Sequence, residues 1–124
     1  RVALVKTVER GETVSYGRIY RARRRTKIVT LPLGYADGFF RGLTNKASVL
    51  LHGKAYPVVG RVCMDQIMAD VGTADIRPGD EAVVIGRQRS SVISAWDLAR
   101  PLGTIPYEIC CALSQRVPRH YHMP

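Results

Sequence analysis

Tyr16 stands in the stretch Glu12-Thr13-Val14-Ser15-Tyr16-Gly17-Arg18-Ile19-Tyr20, between a small hydroxyl residue and a glycine, just after the turn-forming pair Arg10-Gly11. A phenol can give or take a proton, but it titrates near about pH 10. As a general base at neutral pH it needs cationic neighbours or another device that favours the phenolate. Arginines are at hand, since Arg18, Arg21, Arg23, Arg24 and Arg25 follow closely. A tyrosine set in a barrel wall satisfies the same local pattern, and spacing alone leaves both roles open.

Three further clusters could carry chemistry. In Gly60-Arg61-Val62-Cys63-Met64-Asp65-Gln66 a strand would put Arg61, Cys63 and Asp65 on one face and Val62, Met64 and Gln66 on the other. That gives either a polar working face or a surface Arg-Asp pair of small energetic worth. Met64 is apolar, so a role beyond packing would fall to its backbone N–H. In Pro32-Leu33-Gly34-Tyr35-Ala36-Asp37-Gly38-Phe39-Phe40-Arg41, two glycines and an Asp-Gly turn hold an aromatic residue and an arginine close together on a loop. In Pro106-Tyr107-Glu108 a phenol sits in the first turn of a helix, where free N–H groups and the helix dipole favour an anion.

The elements that must position these groups are mostly strands. Short runs of Val, Ile, Leu and Thr, punctuated by Gly, Pro and Asp, predict strands over 2–8, 13–20, 27–33, 47–51, 55–59, 61–70 and 81–86. Turn signals at Arg10-Gly11, Ala36-Asp37-Gly38, His52-Gly53-Lys54 and Arg77-Pro78-Gly79-Asp80 separate them. Closely spaced strands without long helical patterns predict an all-β fold, a small closed Greek-key-like β-barrel. The last third adds short helices. Ser94-x-x-Asp97 has the form of a capping box before a run that ends at Pro101 and Gly103, and Pro106 suits the first turn of a second helix.

At 124 residues the chain fits one domain, with 46% hydrophobic and 23% charged residues and no apolar run long enough for a membrane-spanning helix. Opening on Arg1 with a strand-like Val2-Ala3-Leu4-Val5, it reads as cut from something longer. Three cysteines, Cys63 and the adjacent Cys110 and Cys111, suit a reduced, cytoplasmic setting better than a disulfide framework. His120-x-His122 offers two nitrogens where zinc needs three or four ligands, so no metal site is expected. The formal charge of +9 concentrates in Arg18 to Lys27, a run that fits a solvated hairpin or a polyanion track. A basic barrel stacking single-stranded nucleic acid on Tyr16, Tyr20 and Phe39 is the rival reading, though the aromatics sit in Gly-rich turns rather than alternating with the basic run.

In order and spacing, VSYG (residues 14–17), PLGYADG (32–38) followed by Arg41, PVVGRVCMDQ (57–66), PYE (106–108) and RVPR (116–119) closely resemble the C-terminal domain of bacterial alanine racemases, which interconvert L- and D-alanine with pyridoxal phosphate. The similarity spans essentially residues 1–124. It implies a β domain that completes the cofactor pocket in the N-terminal (β/α)₈ barrel of a partner subunit in a head-to-tail homodimer. It also implies that Tyr16 is the acid/base on one face of the substrate α-carbon, while a barrel lysine, which also forms the Schiff base, works the other. No trace of that lysine motif is present. By the same resemblance the Met64 backbone N–H meets the substrate carboxylate and Tyr107 contacts the cofactor phosphate. Tyr35, Arg41, Arg61 and Asp65 line the access channel. The expected partners are therefore L- and D-alanine and the barrel domain, with neither nucleic acid nor membrane.

Overall fold

The computed structural model describes residues 1–124, and strands do dominate it. They are β1 Leu4–Val8, β2 Thr13–Val14, β3 Tyr20–Arg21, β4 Thr26–Leu31, β5 Ser48–Leu51, β6 Lys54–Pro57, β7 Ile67–Gly72, β8 Ala82–Val83, β9 Gly86–Gln88 and β10 Ser91–Ile93, followed by the helices α1 Ala95–Leu102 and α2 Pro106–Cys111. Every pairing is antiparallel. The ladders form four sheets, β1-β4-β7, β6-β5-β8, β9-β10 and β2-β3, rather than one closed ring of hydrogen bonds. What binds them is a shared interior: Val29 and Leu31 from β4, Val49 to Leu51 from β5, Ile67, Ala69 and Val71 from β7, Ile93 from β10, Leu98 from α1 and Ile109 from α2 fall in one buried cluster. Each Val, Leu or Ile side chain among them contributes about 1.5–3 kcal/mol by leaving water.

The alternation that predicts strands is visible in β7, where Ile67, Ala69 and Val71 are buried and Met68, Asp70 and Gly72 are not. β4 is buried at four of six positions because β1 and β7 flank it. A smaller cluster of Val8, Val14, Ala22, Ile28 and Val59 lies beneath the β2-β3 ribbon and ties it to the main sheet.

Three expectations change. Residues 13–20 are not one strand: β2 ends at Val14, a single 3₁₀ turn covers Tyr16–Arg18, and β3 resumes at Tyr20. Residues 61–70 are not one strand either, because 60–66 form a loop and only Ile67–Gly72 is extended. Residues 81–86 are not one strand: β8 ends at Val83, 84–85 bend, and Gly86 opens the hairpin β9-β10, whose turn is formed at Arg89 with φ 55°. The helices follow their local signals. The Ser94 hydroxyl accepts from Asp97 N while the Asp97 carboxylate accepts from Ser94 N, Gly103 closes α1 in the left-handed region, and Pro106 opens α2. Pro101 lies inside the last turn of α1 rather than ending it.

Candidate active site

The β2-β3 ribbon projects Tyr16 at its tip, and the ring is 73% exposed. Ser15 precedes it with φ 67° and ψ −178°, and Gly17 follows with φ 74°. The Ser15 hydroxyl donates to the Arg61 carbonyl at 2.8 Å, which brings the tip onto the 60–66 loop. Arg61 runs alongside: its Nη2 lies 3.5 Å from where a Cβ on Gly17 would stand.

The 60–66 loop is pinned on its other side. Gly60 N donates to the Asn45 side-chain oxygen at 2.6 Å and Val62 N to the Thr44 hydroxyl at 3.1 Å. Tyr35 N donates to the Cys63 carbonyl at 3.0 Å and Ala36 N to the Met64 carbonyl at 3.1 Å, so the Tyr35 turn and the Met64 loop are zipped together. Asp37 stabilises that turn by accepting from Gly34 N at 2.9 Å. The amides of Met64, Asp65 and Gln66 donate to no backbone carbonyl. Consecutive free N–H groups of this kind suit an anion.

Between these segments lies an open cleft of about 840 Å³, bordered by Tyr16, Tyr35, Arg41, Arg61, Met64 and Asp65 among others. The six come from three stretches of sequence and meet only through the fold. Tyr107, exposed on α2, does not border it. Ser15, Val62, Cys63, Gln66 and Met68 border the cleft as well, without having been singled out for it. Cys63 is a free thiol whose sulfur is 3.5 Å from the Ser15 hydroxyl.

Charge in the cleft is unequal. Asp65 accepts from Arg116 Nη2 at 2.7 Å, and the same guanidinium reaches Asp37 at 3.2 Å. Those contacts, led by the Asp65 hydrogen bond, hold the Arg116 guanidinium above its usual range. Arg41 and Arg61 make no ion pair. The cleft therefore presents two unpaired guanidinium groups against one carboxylate that is itself paired with an arginine, a field that draws small anions. Arg116 belongs to the RVPR stretch, but only the fold reveals that it faces two aspartates.

Away from the cleft, the nucleic-acid reading loses two of its three stacking platforms. Phe39 is 4% exposed, and Tyr20 is half-buried with its hydroxyl donating to Asp70 at 2.6 Å. Within the basic run, Arg25 pairs with Glu9 and Arg21 bonds the Gly11 carbonyl. No group of three or more His, Cys, Asp or Glu converges, and no helix is long and apolar enough to cross a membrane.

Comparison with known proteins shows whose fold this is. The family model described as the C-terminal domain of alanine racemase matches residues 1–121. The alanine racemase of Cutibacterium acnes is 52% identical over 121 residues, 97% of this chain and 32% of that protein. That of Halothermothrix orenii is 52% identical over 122 residues, 98% of this chain and 32% of that one. Among solved structures, the alanine racemase from E. faecalis matches with a TM-score of 0.93 and 37% identity, over 98% of this chain and 32% of that one. The enzyme from D-cycloserine-producing Streptomyces lavendulae matches with a TM-score of 0.94 and 41% identity, over 99% and 32%. The chain thus spans 32% of the length of these relatives, and it belongs to the alanine racemase C-terminal domain family.

Proposed function

We propose that residues 1–124 are the C-terminal β domain of a pyridoxal phosphate-dependent alanine racemase and supply one wall of an active site whose other wall is the N-terminal (β/α)₈ barrel of a partner subunit in a homodimer. The observation that carries this is the cleft itself. It gathers two phenols, two unpaired guanidinium groups and free amide N–H groups, yet it stays open and its proton-carrying tyrosine is 73% exposed. A site of that composition is complete only when something else covers it.

The donor set fits one side of a cofactor that carries a phosphate and an aldehyde. Phenols and guanidinium groups suit its anionic parts, whereas no lysine borders the cleft: Lys6 lies on β1, Lys27 on β4, Lys54 on β6 and Lys46 just before β5. The amine that holds the aldehyde then comes from the companion barrel. Tyr107 is outside this cleft and exposed at the start of α2, and its contact with the phosphate is what the family resemblance implies. When bound, the cofactor ring supplies the electron sink that makes an α-proton removable.

Inversion at the α-carbon requires a proton taken from one face and returned on the other, so two groups must oppose each other. Tyr16 is this chain's group: its phenolic oxygen takes the proton on one face in one direction and returns it there in the other. The Arg61 guanidinium passes beside Gly17, next in the chain to Tyr16, and brings positive charge to the tip. The Met64 N–H receives the substrate carboxylate, and Tyr35, Arg41, Arg61 and Asp65 admit and orient a small amino acid. D-alanine made this way serves peptidoglycan in the cytoplasm, a setting that suits the three free thiols Cys63, Cys110 and Cys111.

The test is Tyr16→Phe in the full-length protein, following alanine racemisation from each enantiomer by circular dichroism. Removing a positioned proton carrier costs about 10²–10⁴-fold in rate. Conversion of L-alanine within twofold of the parent would end the reading.

A further inference from the structure

The turn that presents Tyr16 passes through backbone conformations that L residues avoid. Ser15, at φ 67° and ψ −178°, lies in a region occupied almost only by glycine. Gly17 follows at φ 74° and Arg18 at φ 52°, so three of the four residues from 15 to 18 have positive φ and Tyr16 alone does not. Packing does little to fix the Tyr16 side chain, because the residue is 73% exposed and borders the open cleft. Where the phenol stands is therefore decided by the backbone beneath it.

That backbone is held from below. The Ser15 hydroxyl donates to the Arg61 carbonyl at 2.8 Å and lies 3.5 Å from Cys63 Sγ. Gly60 makes the approach possible: a Cβ there would come within 2.8 Å of Ser15 Cβ and 2.9 Å of the Val14 carbonyl oxygen. The floor on which Ser15 rests is itself fixed, with Gly60 N donating to Asn45 at 2.6 Å. On the tip side of the two-residue ladder Val14 pairs across to Tyr20, whose hydroxyl donates to Asp70 at 2.6 Å, and at the base Gly11 N donates to the Ala22 carbonyl at 2.8 Å. The ribbon is thus anchored at both ends of its ladder, and beyond Val14 the tip is held through the Ser15 hydroxyl, which bonds the Arg61 carbonyl and lies beside Cys63 Sγ.

We propose that Ser15 is a positioning residue for Tyr16: its hydroxyl clamps the strained turn to the Arg61 carbonyl and thereby sets where the phenolic oxygen meets the substrate α-carbon. The inference rests on Tyr16 being the proton carrier. Strain of this kind persists only where surrounding contacts over-determine it, and here the contact is specific and removable.

Ser15→Gly and Ser15→Ala in the full-length protein separate a positioning role from a structural one. Glycine accepts the backbone conformation but abolishes the clamp, whereas alanine abolishes the clamp and keeps the strain. We expect Ser15→Gly to unfold within about 3 °C of the parent, since relief of strain offsets the lost hydrogen bond. Its racemisation rate should fall about 10–100-fold, the cost of misplacing a reacting group by an ångström or less. The α-deuterium isotope effect should grow for the enantiomer whose proton Tyr16 removes and stay unchanged for the other. Independently of turnover, hydrogen exchange of the amides of residues 16–19 should quicken about tenfold in both variants. Parent-like rates within twofold in both variants, or unchanged exchange at residues 16–19, overturns the proposal. If Ser15→Ala fails to fold, Ser15→Gly decides alone. Tyr16→Phe run in parallel keeps the two ideas apart: full activity there defeats the functional reading, while the exchange data still judge the clamp.

Discussion

Gly34→Ala asks how firmly the two loops of the cleft are joined. Gly34 is buried and its φ is not positive, so conformation gives no reason for a glycine there. Space does: a Cβ would stand 2.0 Å from the Cys63 carbonyl oxygen and 2.5 Å from that of Met64. Both obstacles are backbone, and no side-chain rotation clears them. To bring the nearer contact from 2.0 Å to 3.0 Å, the Tyr35 turn and the 60–66 loop must separate by about 1 Å. The bonds Tyr35 N to Cys63 O, now 3.0 Å, and Ala36 N to Met64 O, now 3.1 Å, then both pass beyond hydrogen-bonding range. Two lost backbone bonds whose groups remain partly buried cost roughly 2–4 kcal/mol together. In a domain of this size that lowers the melting midpoint by roughly 6–15 °C. The comparison is Gly79→Ala, at φ 92° with nothing within 4 Å, which pays only a positive-φ penalty of roughly 1–2 kcal/mol. Calorimetric or urea unfolding measures both. A Gly34→Ala protein no less stable than Gly79→Ala would refute the claim that close backbone approach fastens the cleft.

Stability at the pH extremes follows from the Tyr20-Asp70-Thr26 network. Burial pushes the Asp70 carboxyl up, but hydrogen bonds from Thr26, Tyr20 and Gly72 N and the charge of Arg24 outweigh it and leave it below the usual carboxylate range. A depressed carboxyl contributes stability above its unfolded value near about pH 4 and loses it as pH falls through the folded value, so Asp70→Asn should flatten the acid limb of a urea-midpoint profile. Burial first, then the bond to Asp70 and its charge, pushes the Tyr20 phenol up to about 12 from 10.0. That contribution is complete below pH 10.0 and lost as pH rises toward about 12, so Tyr20→Phe should flatten the alkaline limb. Profiles parallel to the parent's would contradict both assignments. Ser94→Ala removes the α1 cap and should cost about 1 kcal/mol in urea unfolding, with an unchanged midpoint counting against it. Arg116→Ala leaves both Asp65 and Asp37 without their cation and lowers the positive charge at the cleft. Its kcat/KM for alanine at low salt should drop about two- to tenfold at constant kcat, and an unaltered kcat/KM would show that the field does not steer substrate.

What was legible in the sequence was local. The Ser94-x-x-Asp97 box and Pro106 announce both helices because each signal and its partner lie within one turn. Alternation places β7, and the Asp-Gly pair at 37–38 marks the turn that carries Tyr35. Residues 13–20 misled because β-rich composition says nothing of φ: only Gly17 signals a positive value, while Ser15 and Arg18 adopt theirs under tertiary compulsion. The same holds for 61–70, where an alternating pattern is overridden by bonds to Asn45, Thr44, Tyr35 and Ala36, all far off in sequence. Motif order pointed to seven candidate site residues, six of which border the cleft. It gave Ser15 and Gly60 no role, since their meeting depends on a contact across 45 residues.

Charge shows why a sum over the chain is a poor guide to a site. The densest basic run, Arg18 to Lys27, produces the eye-catching part of the +9 total, yet it lies on and after a ribbon where Arg25 answers Glu9, Arg21 caps a carbonyl and Arg24 stands near Asp70. Arg41 and Arg61 are each isolated in sequence and attract no notice in a tally. They are the ones left without acids inside a concave surface, where low-dielectric walls concentrate their field. On the proposed reading a small carboxylate responds to two guanidinium groups left unpaired by the fold, with Arg116 offsetting the one carboxylate that would oppose them. Neutralising several arginines of the run at once should accordingly leave kcat/KM for alanine within about twofold, whereas Arg61→Ala alone should lower it about tenfold or more. Steady-state kinetics on the two variants, compared at low and moderate salt, distinguish a field set by position from one set by net charge.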